Sequence, residues 1–187
     1  HNIGGNINFG TRQGGDYTDA RLTYGSFDTR MAQIALGREH GEFQQNWFVG
    51  VQTSDGYRDH DTSEKYSLGG KWFYGHLEDG MRVGLTARVY HHKADEPGFL
   101  TADELATMRR GSNPRNANDG DDRDMRQFAV HMDLALSDAL MLGTRLYHNR
   151  YQDDRRITFS GVPTGNAPRQ RRVWDEKQTG LMSTLTW

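Results

Sequence analysis

An all-β chain of antiparallel strands is predicted by three features of the 187-residue sequence. Period-two alternation of apolar and polar residues recurs along most of its length, and helical periodicity is almost absent. The face opposite the apolar one carries Arg, Asp, His, Gln and Gly rather than a second apolar set. Connections between the alternating runs are short and long in turn. A dry core holds polar faces only if every charge is paired, whereas a water-filled lumen holds them freely. The fold class expected is therefore an antiparallel transmembrane β-barrel, with short periplasmic turns at one end and long extracellular loops at the other. The alternative is a soluble β-sandwich with one wet face per sheet, which the charges on nearly every strand's inner face argue against.

Eight runs carry the pattern. The first, residues 18–24, sets Ala20, Leu22 and Tyr24 against Asp19, Arg21 and Thr23. After "GSFDT", Ala32, Ile34 and Leu36 oppose Gln33, Ala35 and Gly37. "HGEF" turns the chain into a third run, Trp47, Val49 and Val51 against Asn46, Phe48, Gly50 and Gln52. Beyond the polar "SDGYRDHDTSE", the fourth sets Tyr66, Leu68, Trp72 and Tyr74 against Ser67, Gly69 and Lys71. "GHLEDG" leads to the fifth, Val83, Leu85, Ala87 and Val89 against Arg82, Gly84, Thr86, Arg88 and Tyr90. A long polar segment, 91–124, precedes the sixth, Phe128, Val130, Met132, Leu134 and Leu136 against Gln127, Ala129, His131 and Asp133. "SDAL" turns tightly into the seventh, Leu140, Leu142 and Leu146 against Arg145, Tyr147 and Asn149. A second long segment, 152–173, precedes the eighth, Leu181, Leu185 and Trp187 against Gln178, Met182 and Thr184. Tyr24, Trp47, Trp72, Tyr74 and Trp187, near strand ends, suit the aromatic girdles of a membrane interface.

Composition narrows the function classes. Hydrophobic residues are 34% and mean hydropathy is −0.88, yet 11% aromatic content is too rich for disorder. A net charge of −2 gives no general attraction to nucleic acid. The absence of cysteine excludes disulfide frameworks and thiol chemistry. No signal peptide is seen, so the chain is expected to be a mature protein or to lack its N-terminus.

Three stretches name a family. "IGGNINFGTRQ", residues 3–13, resembles the motif that closes the plug domain of TonB-dependent outer-membrane receptors. "SDGYRDH", residues 54–60, resembles the segment those receptors carry at the top of their third strand. "YHHKADEPGFLTADEL", residues 90–105, resembles the start of their third extracellular loop in the siderophore and ferric citrate branch. The resemblance extends strand for strand over the chain. It implies a division into residues 1–15, the C-terminal end of a plug, and 16–187, the N-terminal part of a barrel of twenty-two strands. Eight strands closed on themselves leave a lumen too narrow for an iron chelate, so an open sheet is expected, completed by strands outside this sequence.

The same resemblance implies active transport in the bacterial outer membrane, with a ferric siderophore or ferric citrate as substrate. TonB would act through a segment upstream of His1. Lipid and lipopolysaccharide are the implied surroundings. Iron would be cargo inside a chelate, and no cofactor, resident metal or catalytic residue is implied. A passive porin or a small structural or adhesive barrel is the alternative, and an outer-membrane hydrolase a further one.

The candidate site residues follow from chemistry. Arg155, Arg156, Arg169, Arg171 and Arg172 concentrate in the second long segment, joined by Arg58, Arg109, Arg110 and Arg115 from other loops. Guanidinium forks bind carboxylates bidentately, which suits an anionic ferric chelate and tilts the reading toward a carboxylate type. Neutralising lipopolysaccharide phosphate or pairing with loop acids fits these arginines equally well. Arg82, Arg88, Tyr90, His92 and Arg145 are expected to line the lumen. A haem receptor would show loop histidines, and here His60 is the main one.

"NDGDDRD", residues 118–124, masses carboxylates but lacks the calcium-loop spacing, and reads as a solvated loop tip. His91 and His92 end the fifth run on opposite faces, so they do not share one metal. Thr101 and Glu104 have capping-box spacing, predicting a short loop helix over 101–108. No nucleophile elbow, phosphate loop or dinucleotide fingerprint is present.

Overall fold

The computed structural model describes residues 11–12, 14–159 and 168–187. Eight strands form one antiparallel sheet in sequence order: β1 (Tyr17–Gly25), β2 (Thr29–His40), β3 (Phe43–Ser54), β4 (Ser63–Tyr74), β5 (Met81–Asp95), β6 (Gly120–Ser137), β7 (Leu140–Thr158) and β8 (Arg169–Thr186). The sheet is not closed: among the described residues β1 pairs only with β2, and β8 only with β7. The meander arises because each run alternates with period two and each break carries turn chemistry. Gly41, at φ +56°, makes the two-residue turn that pairs His40 with Phe43.

The register places all eight predicted apolar faces on one side. One continuous outer row runs Leu85, Val130, Leu146, Leu181, with Val83, Met132, Thr144 and Ser183 as its neighbour. Thr144 and Ser183 satisfy each other at 3.1 Å between hydroxyls, as polar groups in an apolar band must. These outer residues are exposed, and Phe73 is the one buried hydrophobic side chain among the described residues. Among the described residues no second sheet packs on this apolar side, unlike the inner face of a sandwich. Trp47 and Trp72 meet edge to face on this side, centroids 4.8 Å apart, near the short turns where Tyr74 and Trp187 also stand.

Short and long connections alternate as expected. Residues 41–42, 75–80 and 138–139 turn the chain at one end. Residues 26–28, 55–62, 96–119 and 159–168 connect strands at the other. The long-loop end departs from the sequence reading in one respect. β5 continues to Asp95 rather than ending at His91, and β6 begins at Gly120. Asp121, Asp122 and Asp124 are therefore strand residues, not a loop tip. Likewise β7 extends to Thr158 and β8 starts at Arg169, so Arg155, Arg156, Arg169, Arg171 and Arg172 are strand residues rather than loop residues.

The loop helix α1 (Ala102–Thr107) carries the predicted capping box: Glu104 N–H donates to Thr101 Oγ1 at 3.3 Å, and Thr101 N–H to Glu104 Oε2 at 2.8 Å. Residues 1–10 and 13 of the plug-end reading, and 160–167 of the second long loop, lie outside the described residues.

Candidate functional site

The polar inner face holds three layers. Nearest the short turns, Arg82 donates from Nε and Nη2 to Asp133 Oδ2 at 3.1 and 2.7 Å, its guanidinium 5.3 Å from the Phe73 ring. Above this opens a concavity of about 580 Å³ lined by Lys71, Thr86, Gln127, His131, Arg145 and Tyr147, with Asn149 and Gln178 at its side. Arg145 Nε donates to His131 Nδ1 at 3.3 Å, which leaves His131 Nε2 to donate to Thr86 Oγ1 at 3.0 Å. Among the described residues no carboxylate lines this concavity, so its polar groups are cationic or neutral, set beside Phe73, Phe128 and Met182. Thr86 and His131 do not make a nucleophile and base, because the second imidazole nitrogen faces Arg145 instead of an orienting acid.

The short segment before β1 lies against the same face. Gly14 N–H donates to Asn46 Oδ1 at 2.6 Å, and Asn46 Nδ2 returns a bond to Gly14 O at 3.0 Å. Lys71 Nζ meets Thr11 Oγ1 and donates to Arg12 O at 3.3 Å. Gly37 is required here: a side chain on it would strike Gly15 O and the Tyr17 ring. Arg88 lines a second concavity of about 560 Å³ between this segment and β3–β5.

The uppermost layer is a charge network. Tyr90 stacks on His92, centroids 6.4 Å apart. His92 Nδ1 lies 3.6 Å from Asp121, and Arg123 bridges Asp121 and Asp153, its Nε 3.5 Å from the latter. Arg155 forks onto Glu96 at 2.8 and 2.9 Å. The Asp121 side chain is only 3% exposed. Burial pushes its carboxyl above the ordinary value, opposed by Arg123. Burial also lowers the His92 imidazole, so Asp121 faces a neutral ring at neutral pH.

Strand alternation divides the five-arginine cluster. Arg155 and Arg172 are register partners on the inner face, while Arg156, Arg169 and Arg171 point outward. Most are also engaged. Arg171 forks onto Asp154 at 2.8 and 2.6 Å, and Arg172 donates to Gln170 Oε1 while lying 5.6 Å from the Phe159 ring.

Arg58 is a clasp between loops, donating to Gly111 O at 3.0 and 2.9 Å, Gly98 O at 2.5 Å and Pro97 O at 3.2 Å. Arg115 approaches Glu104 at 3.7 Å. Arg109 is exposed. Arg110 lies over Phe27 and Tyr57, rings that meet edge to face at 5.5 Å. Beneath them Asp119 accepts from Thr158 N, Thr158 Oγ1 and Asn116 Nδ2 at 2.7–2.8 Å, fixing loop 96–119 to β7.

The arrangement brings Arg145 into the main concavity and leaves Arg82, Arg88, Tyr90 and His92 in the neighbouring layers of the same face. Lys71, Thr86, Gln127, His131, Asn149 and Gln178 were not among the expected site residues. Their inner-face parity was readable; their convergence depends on cross-strand register.

No family model matches the chain, and no curated protein matches it. Solved structures do. The ferric-catecholate import receptor Fiu from E. coli K12 in its open form aligns with TM-score 0.71 and 15% identity over 94% of this chain and 32% of that one. The closed form of the same receptor aligns with TM-score 0.66 and 16% identity, over 94% of this chain and 29% of that chain. The fold is therefore that of part of a receptor barrel, and the chain spans about a third of the length of the receptor it matches.

Proposed function

We propose that the chain is a barrel portion of a bacterial outer-membrane receptor that captures an anionic ferric chelate and imports it with energy from TonB. The observation that carries this reading is the carboxylate-free concavity built from Lys71, Arg145, Gln127, Asn149 and Gln178, set in a sheet with the fold of an iron-chelate import receptor. Cationic and amide donors on rigid strands hold an anionic complex reversibly, without the covalent chemistry that release would have to undo. Residues 11–12 and 14–15 lie against the inner face as the end of a plug would, so residues 1–15 are read as plug and 16–187 as barrel. Loop arginines Arg109 and Arg110, with Arg172 at the top of the inner face, would make the first contacts, and Arg145 with Lys71 the deeper ones. A catalytic reading of the concavity is not supported by Thr86 and His131, whose imidazole is held by Arg145 and not by an orienting acid. Lipid and lipopolysaccharide would face the apolar side.

The test is a titration of the full-length receptor with a ferric catecholate and with ferric citrate, each followed by quenching of intrinsic fluorescence. Exchanging Arg145→Gln together with Lys71→Gln is expected to weaken the preferred chelate tenfold or more. Unchanged affinity for both chelates sinks the site. Absence of binding to either sinks the receptor reading.

A further inference from the structure

The sheet carries a second constellation on the opposite side, just above the apolar band. We propose that His91, Asp122 and Asp124 form a binding site for a first-row divalent cation of the zinc class. The three side chains come from adjoining positions of β5 and β6: His91 is the register partner of Asp124, and Asp122 stands two residues away on the same face. Their ligand atoms lie within 4.8 Å of one another. His91 Nδ1 is 3.3 Å from Asp124 Oδ1 and 3.7 Å from Asp122 Oδ1. Ligands at about 2.0–2.2 Å from a tetrahedral zinc ion are separated from each other by roughly 3.3 Å, so little movement is needed to close the shell.

What the neighbouring carboxylates do sharpens the point. On this same outer face Asp154 is forked by Arg171, and Asp175 by Arg150. Asp122 and Asp124 make no ion pair with lysine or arginine among the described residues, and share only the imidazole. Two carboxylates that form no ion pair with lysine or arginine among the described residues, converging on one imidazole nitrogen, make a donor set that a divalent ion satisfies once it displaces the Nδ1 proton. Tyr66 stacks against the His91 ring with centroids 6.1 Å apart, holding the imidazole in place. The mixed nitrogen and oxygen ligands favour zinc, nickel or copper over calcium or magnesium, which take oxygen alone. Three protein ligands leave coordination positions open toward the outside of the sheet.

The site is on the face opposite the chelate concavity, so its outcome is independent of import. The test is calorimetry of the full-length receptor with zinc chloride, repeated with His91→Ala, Asp124→Asn and, as a control, His40→Ala. The expected result is one equivalent of zinc bound by the unaltered receptor, weakened tenfold or more by His91→Ala and by the isosteric Asp124→Asn, and unaffected by His40→Ala. Cobalt substituted for zinc should give visible d–d absorption that both site variants lose. No stoichiometric zinc uptake, or uptake with unchanged affinity in both variants, overturns the proposal.

Discussion

Below the level of Val89 and Arg126 the sheet separates its chemistry by face; above that level both faces are charged. In the lower half, Leu85, Val130, Leu146 and Leu181 point one way and Arg88, Gln127, Asn149 and Gln178 the other. In the upper half, the outward His91, Asp122, Asp124, Asp154 and Arg171 are as polar as the inward His92, Asp121, Arg123, Asp153 and Arg155. The backbone ladder is continuous through both. The strand is therefore not specified by alternation alone: alternation reports where one face is apolar, and pairing continues wherever the ladder is hydrogen-bonded.

The largest effect that could break this contrast is a charge in the lower band. Val130→Arg should cost about 2–4 kcal/mol at the bilayer midplane, whereas Val173→Arg, outward in the upper half, should stay within about 0.5 kcal/mol. Denaturant titration of the whole protein in lipid vesicles measures both, and equal costs would remove the proposed membrane boundary.

Next in size is the buried support of the upper half. Asp119→Ala leaves the Thr158 amide and the buried Asn116 side-chain amide without their acceptor, at roughly 1–3 kcal/mol for each buried donor orphaned, while the Thr158 hydroxyl keeps Arg115 O at 3.3 Å. Hydrogen exchange at the Thr158 amide should accelerate accordingly, while that of β2 and β3 stays as it was.

Arg58→Lys tests the clasp more gently. A single ammonium cannot reproduce a fork that reaches Pro97, Gly98 and Gly111, so roughly 1 kcal/mol is expected to be lost. Limited proteolysis should then cut within 96–119 sooner, with the strands uncut.

The smallest effect is electrostatic. The hydrogen bond from Arg171 holds the Asp154 carboxyl below its ordinary value. That contribution is present above the ordinary carboxylate range and is lost as pH falls through the lowered value. Arg171→Gln should bring the carboxyl back toward the ordinary value, visible as a move of the titration midpoint of its carboxyl carbon to higher pH in an NMR titration. No shift would mean the fork is not formed in solution.

The lower half was legible because hydrophobic period two is strong wherever one face of a sheet is apolar and the other polar. The named apolar residues of the lower half, such as Leu22, Ile34, Val49, Leu68, Leu85, Val130, Leu146 and Leu185, lie on the face assigned to them, and the capping box on α1 was readable from Thr101 and Glu104. The upper half was not, since "YHHKAD" and "DDRDM" carry no apolar rhythm and look like loop. That misreading placed Arg155, Arg156, Arg171 and Arg172 in one flexible cluster, when register sends alternate members to opposite faces. It also hid His91 from Asp122 and Asp124, which are over thirty residues apart in sequence and adjacent across a ladder. Convergence on the inner concavity was hidden for the same reason: parity is local, but register is not.

The contact of Thr11, Arg12, Gly14 and Gly15 with the sheet has a mechanical meaning. Tension entering the chain at Thr11 would not spread evenly over the sheet. It would load a short series of bonds, Lys71 to Thr11 and Arg12, then Asn46 to Gly14, before reaching the ladder at Tyr17. Behind them Gly37 lets Gly15 and Tyr17 seat directly against β2. The barrel wall thus serves as an abutment: a pull can peel the segment bond by bond, while the strands that bear the reaction force stay in register.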